Sequence, residues 1–180
     1  MRVRLRRTMS MLAIALVCTA GSQAAGAVTW AATPKPCNAS DLSARQVGSG
    51  AGMSHPFVSI GLQNDGTVPC TLDGYPRLGA VRVHGGSRVR VDISRDNLMN
   101  IAGPRPRSIT LAPGDHAWFA VGAVTAYDPP IVTIASIAVR LGSSARAMVI
   151  PIALSASAPH GKPFPIGITA YAKGDPPSDG

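Results

Sequence analysis

The sequence predicts an all-β protein, an antiparallel β-sandwich with one disulfide, and three observations support this. Short apolar runs are cut by turn residues about every ten positions, which is the strand spacing of a sandwich. Sixteen prolines and nineteen glycines interrupt the 180 residues, and neither residue suits the interior of a long helix. The nine acidic residues are all aspartate, which favours caps and turns, whereas glutamate favours helices.

The first 31 residues read as a signal peptide, with a basic start followed by a short apolar run. Small residues predict cleavage after Ala27 or Ala31, and a short linker then reaches residue 36. Bulky residues before Cys18 disfavour its use as a lipid acceptor. The apolar run is about half of the ~20 residues that a membrane-spanning helix needs, so we expect no transmembrane helix after the signal is removed.

Loss of the signal lowers the charge and leaves two cysteines. The formal net charge is +8 with 17 basic residues, and removing four arginines leaves 13 basic against 9 acidic residues, or +4. This modest surplus does not indicate nucleic-acid binding. Cys18 departs with the signal, so we expect Cys37 and Cys70 to join in an oxidising compartment. We predict one domain over residues 37–172 and a flexible tail over 173–180.

Alternating apolar residues predict the individual strands. In order, the predicted strands cover residues 57–63, 80–83, 89–93, 117–125, 131–141, 147–154 and 166–172. Every second residue from Ile131 to Leu141 is expected on one buried face, and the last two strands are expected to pair. The glycine cluster at 48–52 neither follows a clear strand nor opens a helix, so we interpret it as a flexible loop.

One predicted hairpin carries the most distinctive local feature, a basic ridge. A three-residue loop, Gly85 to Ser87, pairs Val83 with Val89, Val81 with Val91 and Arg82 with Arg90. The outer face then carries four residues that we define as the basic ridge: Arg82, His84, Arg88 and Arg90. Exposed arginines can bind phosphate or carboxylate groups bidentately, so an anionic polymer or lipid head group would fit. A solvated face that discourages edge pairing is the alternative.

Two kinds of chemistry are alternatives to simple binding. Met53 and His55 resemble the soft ligands of periplasmic copper carriers, but the other histidines lack ligand spacing, so we predict no metal or cofactor and keep a metal carrier as an alternative. The chain has no Gly-x-Ser-x-Gly, no His-Glu-x-x-His and no glutamate. We therefore predict no enzymatic activity, with a hydrolase using a non-sequential Ser, His and Asp triad as a second alternative.

Several motifs together resemble an actinobacterial family, the domain of unknown function 4232. They are Cys37, the glycine cluster, Asn64-Asp65-Gly66 with Cys70, Leu72-Asp73-Gly74-Tyr75-Pro76 and Leu111-Ala112-Pro113-Gly114. The resemblance covers roughly residues 37–140 and implies an immunoglobulin-like sandwich in secreted or lipid-anchored envelope proteins, with no established activity. The motif residues are typical of turns, so none is carried over as catalytic.

These observations predict a secreted, cell-wall-associated protein. We expect a non-catalytic binding or structural module whose partner is an envelope component or another secreted protein.

Overall fold

In the computed structural model, the described residues are 34–52, 54–95, 103–125, 130–142, 146–157 and 161–177. Within these ranges the chain forms strands and no helix. The strands are β1 (Lys35–Pro36), β2 (Leu42–Gly52), β3 (His55–Asn64), β4 (Cys70–Asp73), β5 (Arg77–Val83), β6 (Arg88–Val89), β7 (Val91–Arg95), β8 (Ser108–Leu111), β9 (His116–Ala123), β10 (Ile131–Arg140), β11 (Ala147–Ser157), β12 (Phe164–Ile168) and β13 (Ala172–Lys173). The predicted signal peptide, with Cys18, and Met53 lie outside the described residues.

The strands form three sheets that share one hydrophobic core. Their orders are β1-β4-β8, β11-β10-β5-β6 and β2-β3-β9-β12-β7, with β13 also on β9. Buried side chains from all three sheets pack in one cluster. The predicted all-β sandwich with one disulfide is therefore confirmed. Two strand pairs inside it run parallel, β1 with β4 and β7 with β12. No helix in the described part of the chain is long and apolar enough to cross a membrane.

The central strand β9 is covered on both faces. Phe119 and Val121 belong to the main core, whereas Trp118 and Ala120 pack on the opposite side with Ala172. The Phe119 ring meets Tyr171 edge-on, with the ring centroids 5.7 Å apart. Because both faces are covered, seven of the eight residues of β9 are buried. This explains why the strand after His116 is apolar without interruption.

The glycine cluster is part of strand β2, so the predicted flexible loop is wrong. Gly50 pairs with Phe57 on β3, and a Cβ on Gly50 would lie 2.5 Å from Cζ of that ring. The missing side chain therefore makes room for the aromatic ring that crosses the strand. Gly61 on β3 makes room for Val47 in the same way, since a Cβ on Gly61 would lie 2.7 Å from Cγ1 of that side chain.

Strand β10 is interrupted by a bulge that changes which residues point inward. Its register with β5 shifts between Ile134 and Ser136. Ile134 and Ile137 are both buried, but Ile131 is 59% exposed. The predicted buried face of alternating residues is thus right from Ile137 onward and wrong before it, because an extra residue in one strand reverses the alternation.

Strand β11 pairs with β10, not with the strand that follows it. Its register runs from Ile131 opposite Ser157 to Arg140 opposite Ala147. Strand β12 instead pairs with β9 and β7, so the predicted pairing of the last two long strands is wrong. Both segments alternate, and alternation does not specify which strand is the neighbour.

The disulfide joins the segment after β1 to the start of β4. Cys37 and Cys70 have their sulfur atoms 2.10 Å apart and are separated by 33 residues. Both residues are buried in the core, and the Cys37 amide donates to the Thr71 carbonyl at 2.9 Å. The predicted pairing of these two cysteines is confirmed.

The ladder between β9 and β13 continues past residue 172, the predicted end of the domain. Lys173 in β13 pairs with Ala117, and the Gly174 amide donates to the His116 carbonyl at 2.9 Å. The Lys173 ammonium also contacts the Asp115 carboxylate at 2.6 Å. The flexibility of the tail as a whole stays a prediction.

Candidate functional site

The β5–β6 hairpin has a register that differs by two residues from the predicted one. Val81 lies opposite Val89, and Arg82 lies opposite Arg88. The amide of Val83 donates to the Ser87 carbonyl at 3.0 Å, so the loop is residues 84–86. Gly85 and Gly86 take φ values of 91° and 84°.

The glycines explain the correction. A three-residue hairpin loop favours glycine at its last, left-handed position. The predicted loop would put Ser87 there, whereas the observed loop puts Gly86 there. The slip covers two residues, so the side chains of Arg82 and Arg88 keep their predicted face. Arg82 consequently faces Arg88, and the predicted pair with Arg90 does not form.

All four residues of the basic ridge are exposed. Arg82 donates through Nη1 to the Gly86 carbonyl at 2.6 Å, and Arg90 donates through Nη2 to the Gly161 carbonyl at 3.4 Å. His84 lies in the hairpin loop, where its amide donates to the Thr133 carbonyl at 2.8 Å. Backbone oxygens thus orient two of the arginines without cancelling their charge.

No described carboxylate neutralises the ridge. The ion pairs within the described ranges join His116 with Asp175 and Lys173 with Asp115, and none of these four residues belongs to the ridge. Asp73 and Asp92, which lie near the ridge in the sequence, form no ion pair with a described residue. Asp96 lies outside the described residues. The ridge therefore retains positive potential that can attract an anion.

A second pair of opposed arginines lies on the same outer face. Arg77 on β5 lies opposite Arg140 on β10, and Arg82 lies opposite Ser136. Ser136 and Arg140 are four residues apart on β10, which places the two arginine pairs about 13 Å apart at a strand rise of ~3.3 Å per residue. The buried neighbours Ile137 and Val139 point the other way, so both pairs face solvent.

The sequence reasoning missed Arg77 and Arg140 as site residues. Each stands at the exposed end of a strand, which is a common position for arginine and draws no attention by itself. Their meeting depends on the register between β5 and β10, two strands far apart in sequence. No local pattern in the sequence encodes that register.

A shallow groove on the six-stranded sheet brings together the residue types of a hydrolase triad. It has a volume of about 70 Å³, and its lining includes Ser43, Gln63, His116 and Asp175. His116 Nδ1 lies 4.0 Å from Asp175 Oδ1, beyond hydrogen-bond distance. The ladder places Gln63 between Ser43 and His116. The Ser–His and His–Asp hydrogen bonds that define a triad are not formed among these residues.

The metal-carrier alternative depends on His55 and Met53. Both ring nitrogens of His55 are buried and have no hydrogen-bond partner among the described residues, a costly arrangement for polar atoms. Met53 lies outside the described residues. Across the described ranges, no group of three or more histidine, cysteine or acidic residues is arranged to hold a metal ion.

Asn64 holds together the turn motif that follows β3. It is 1% exposed, and its Nδ2 donates to the carbonyls of Val68 and Leu111, each at 3.0 Å. Its Oδ1 accepts a hydrogen bond from the Gly66 amide at 3.0 Å. The amides of Asp65 and Gly66 both donate to the Asp41 carbonyl. This asparagine therefore satisfies the polar groups of two loops at once.

The two other turn motifs also have structural roles. Gly74 has a φ of 60° and Gly114 a φ of 82°, a region that glycine adopts readily. The Gly74 carbonyl accepts from Tyr171, and the Gly114 amide donates to the Asn64 carbonyl at 2.7 Å. Arg95 lies over the ring of Tyr75, 5.4 Å from its centroid. These contacts agree with the interpretation of the motifs as turns.

Comparison with known proteins identifies the family. A family described as "Domain of unknown function (DUF4232)" matches residues 37–167, a range that begins at the first disulfide cysteine and ends within β12. No curated protein and no solved structure matches the chain. The matched range contains the disulfide, the turn motifs and both arginine pairs, and the chain belongs to the DUF4232 family.

Proposed function

We propose that this protein is a secreted, non-catalytic binding module that holds an anionic component of the cell envelope through the basic ridge. The observation that supports this most directly is the opposition of Arg82 and Arg88 on an exposed hairpin. Neither guanidinium forms an ion pair with a described carboxylate. Like charges placed directly opposite one another destabilise a ladder, and a bound anion would relieve that repulsion.

The cellular location is supported by two features. The bonded pair of Cys37 and Cys70 is typical of proteins that fold in an oxidising compartment. The first 31 residues have the composition of a signal peptide. We expect the processed N-terminus, after Ala27 or Ala31, in cell-wall and culture-filtrate fractions. A protein retained in the cytosol with both thiols open to alkylation would contradict this.

The non-catalytic role is supported by the geometry of the groove around His116. A serine hydrolase needs its histidine hydrogen-bonded to both serine and aspartate, and here Gln63 lies between Ser43 and His116 in the ladder. The nearby Asp175 is 88% exposed, whereas a triad aspartate is buried. A Ser43→Ala variant with lowered hydrolysis of any tested ester would contradict the non-catalytic proposal.

Binding can be measured by titrating the purified protein onto cell-envelope fractions across a salt series. The test variant replaces Arg82, Arg88 and Arg90 with serine. A matched control replaces three exposed arginines away from the ridge, Arg45, Arg105 and Arg107, with serine, so that both variants lose the same charge. Both variants are otherwise identical to the unmodified protein.

The two variants should separate if the ridge is the binding surface. We expect the ridge variant to lose at least fivefold in retention at low salt, and to show a weaker dependence on salt because fewer ionic contacts are broken. The control should retain most of its binding. Equal retention by the ridge variant and the unmodified protein would rule out the ridge.

Metal carriage is the second candidate function, and it is favoured by the imidazole of His55, for which no described residue is a hydrogen-bond partner. Histidine and methionine together are suited to copper. The test is retention of one copper ion per chain after incubation with a chelator, in the unmodified protein and in a Met53→Leu, His55→Ala variant. An exposed-histidine variant, His84→Ala, is the control. Complete removal of copper from the unmodified protein would rule this function out.

A further inference from the structure

The outer face of the four-stranded sheet carries two pairs of opposed arginines, not one. Arg82 faces Arg88 across β5 and β6, and Arg77 faces Arg140 across β5 and β10. The pairs lie about 13 Å apart along the strands. In each pair the two Cβ atoms are roughly 5 Å apart, so the two guanidinium groups can reach one anionic group.

The surface between the two arginine pairs carries short side chains. Gly79, Ser136 and Ala138 lie there, and a Cβ on Gly79 would be only 3.5 Å from the Cβ of Ala138. With side chains this small, none of these described residues between the pairs rises to the height of the arginines. A linear ligand could therefore lie along the sheet and reach both pairs.

We propose that this face binds a linear polyanion bearing repeated phosphate groups, which contacts both arginine pairs at once. This inference rests on the proposed function and names its ligand class. Guanidinium groups bind phosphate oxygens bidentately. Once one phosphate of a polymer is bound at the first arginine pair, the binding of another phosphate of the same polymer at the second pair is intramolecular, which raises the overall affinity. A polymer long enough to span both pairs is therefore the ligand that the spacing selects.

A polymer fits this face better than a bilayer does. Interfacial proteins place aromatic side chains at the membrane surface, and the described residues of this face include none. Its exposed large apolar side chains are Val149 and Ile131. Val149 lies opposite Ala138, which is seven residues from Ile131, so the two lie about 23 Å apart along the strand direction and form no continuous patch.

The test compares ligands of different length on matched variants. The probes are inorganic triphosphate, which is too short to span the pairs, inorganic polyphosphate of several tens of units, and vesicles containing anionic lipid. The proteins are the unmodified chain, Arg77→Gln with Arg140→Gln, and Arg82→Gln with Arg88→Gln. A control, Arg45→Gln with Arg107→Gln, loses the same charge elsewhere. Affinities are measured by calorimetry and expressed per phosphate.

We expect polyphosphate to bind the unmodified protein at least tenfold more tightly per phosphate than triphosphate does. Each double variant should lose most of that advantage, whereas the control should keep it. If the variant lacking Arg77 and Arg140 binds polyphosphate like the unmodified protein, or if ligand length has no effect, the two-pair proposal is wrong while the ridge proposal stands. If the variant lacking Arg82 and Arg88 is also unaffected, both are wrong.

Two further readouts complete the test. Tighter binding to vesicles than to polyphosphate, lost in the same variants, would overturn the choice of a polymer. Thermal unfolding without ligand separates binding from structure: because opposed like charges are unfavourable, the variant lacking Arg77 and Arg140 should unfold at the same or a higher temperature than the unmodified chain. A fall in its unfolding temperature would mean that this pair stabilises the fold, and would contradict the proposal.

Discussion

Removal of the disulfide provides the sharpest test of the fold. The bond between Cys37 and Cys70 closes a loop with a sequence separation of 33 residues. In the chain-entropy treatment, a loop of this length stabilises the native state by about 3.7 kcal/mol, chiefly by restricting the unfolded chain. The loss should be larger than for most surface substitutions, because few single changes exceed ~3 kcal/mol.

The measurement is urea unfolding of the unmodified protein, the reduced protein and a Cys37→Ala, Cys70→Ala variant. We expect the midpoint to fall and the slope m to rise, because the unfolded chain without its cross-link exposes more surface. In thermal unfolding, a loss of this size corresponds to roughly 10 °C for a domain of this length. A loss below about 1 kcal/mol in both altered forms would refute the reasoning, since it would mean that the cross-link does not restrict the unfolded chain.

Three further substitutions test particular contacts. Asn64→Ala should cost about 2 to 4 kcal/mol in urea unfolding, because it removes three hydrogen bonds and leaves two main-chain carbonyls without their donor. Gly50→Val should cost about 1 to 3 kcal/mol by displacing the ring of Phe57, and the cost should vanish in a Phe57→Ala background. Hydrogen bonds from Lys173 and a backbone amide lower the pKa of Asp115 below its ordinary value of 3.8. Its stabilisation is therefore complete above that value and is lost as pH falls through the lowered pKa. The stability difference from Asp115→Asn in urea unfolding should be unchanged from pH 6 to pH 5 and should narrow as the pH falls below 3.8.

The sequence contained enough information to find most strands, because a strand with one buried face alternates locally. Residues 57–63 lie within β3, and residues 131–141 and 147–154 correspond closely to β10 and β11. The central strand β9 was also found, from its apolar side chains around Trp118. In each case the evidence lay within a window of about ten residues.

Strand β2 shows where local patterns mislead. In its second half, residues 48–52, glycine alternates with serine and alanine, and no large apolar side chain marks a buried face, so the sequence predicts a loop. The structure shows that these glycines accommodate Phe57 from the neighbouring strand. A residue selected for the absence of a side chain carries information about its partner, and that partner is known only after the strands have been paired.

Bulges set a second limit on the prediction. A single extra residue near Ala135 reverses the alternation in β10, so Ile131 is exposed although its spacing from Ile137 predicts burial. A bulge is a property of two paired strands, and neither strand shows it alone. The same limit explains why the site was only half found: Arg82 and Arg88 meet through a hairpin, but Arg77 and Arg140 meet through a long-range ladder.

Protection of a sheet edge does not account for both arginine pairs. Charged residues on edge strands discourage pairing with other molecules, and this suffices for Arg88, because β6 ends its sheet. Arg140 lies on an interior strand, with Ala147 of β11 on one side and Arg77 of β5 on the other. A charge there protects no edge, and a smaller polar residue would keep the face soluble without repelling its neighbour. The proposed polyanion would neutralise the repulsion in this pair, and edge protection gives no competing reason for it, so the variants of Arg77 and Arg140 discriminate better than those of the hairpin.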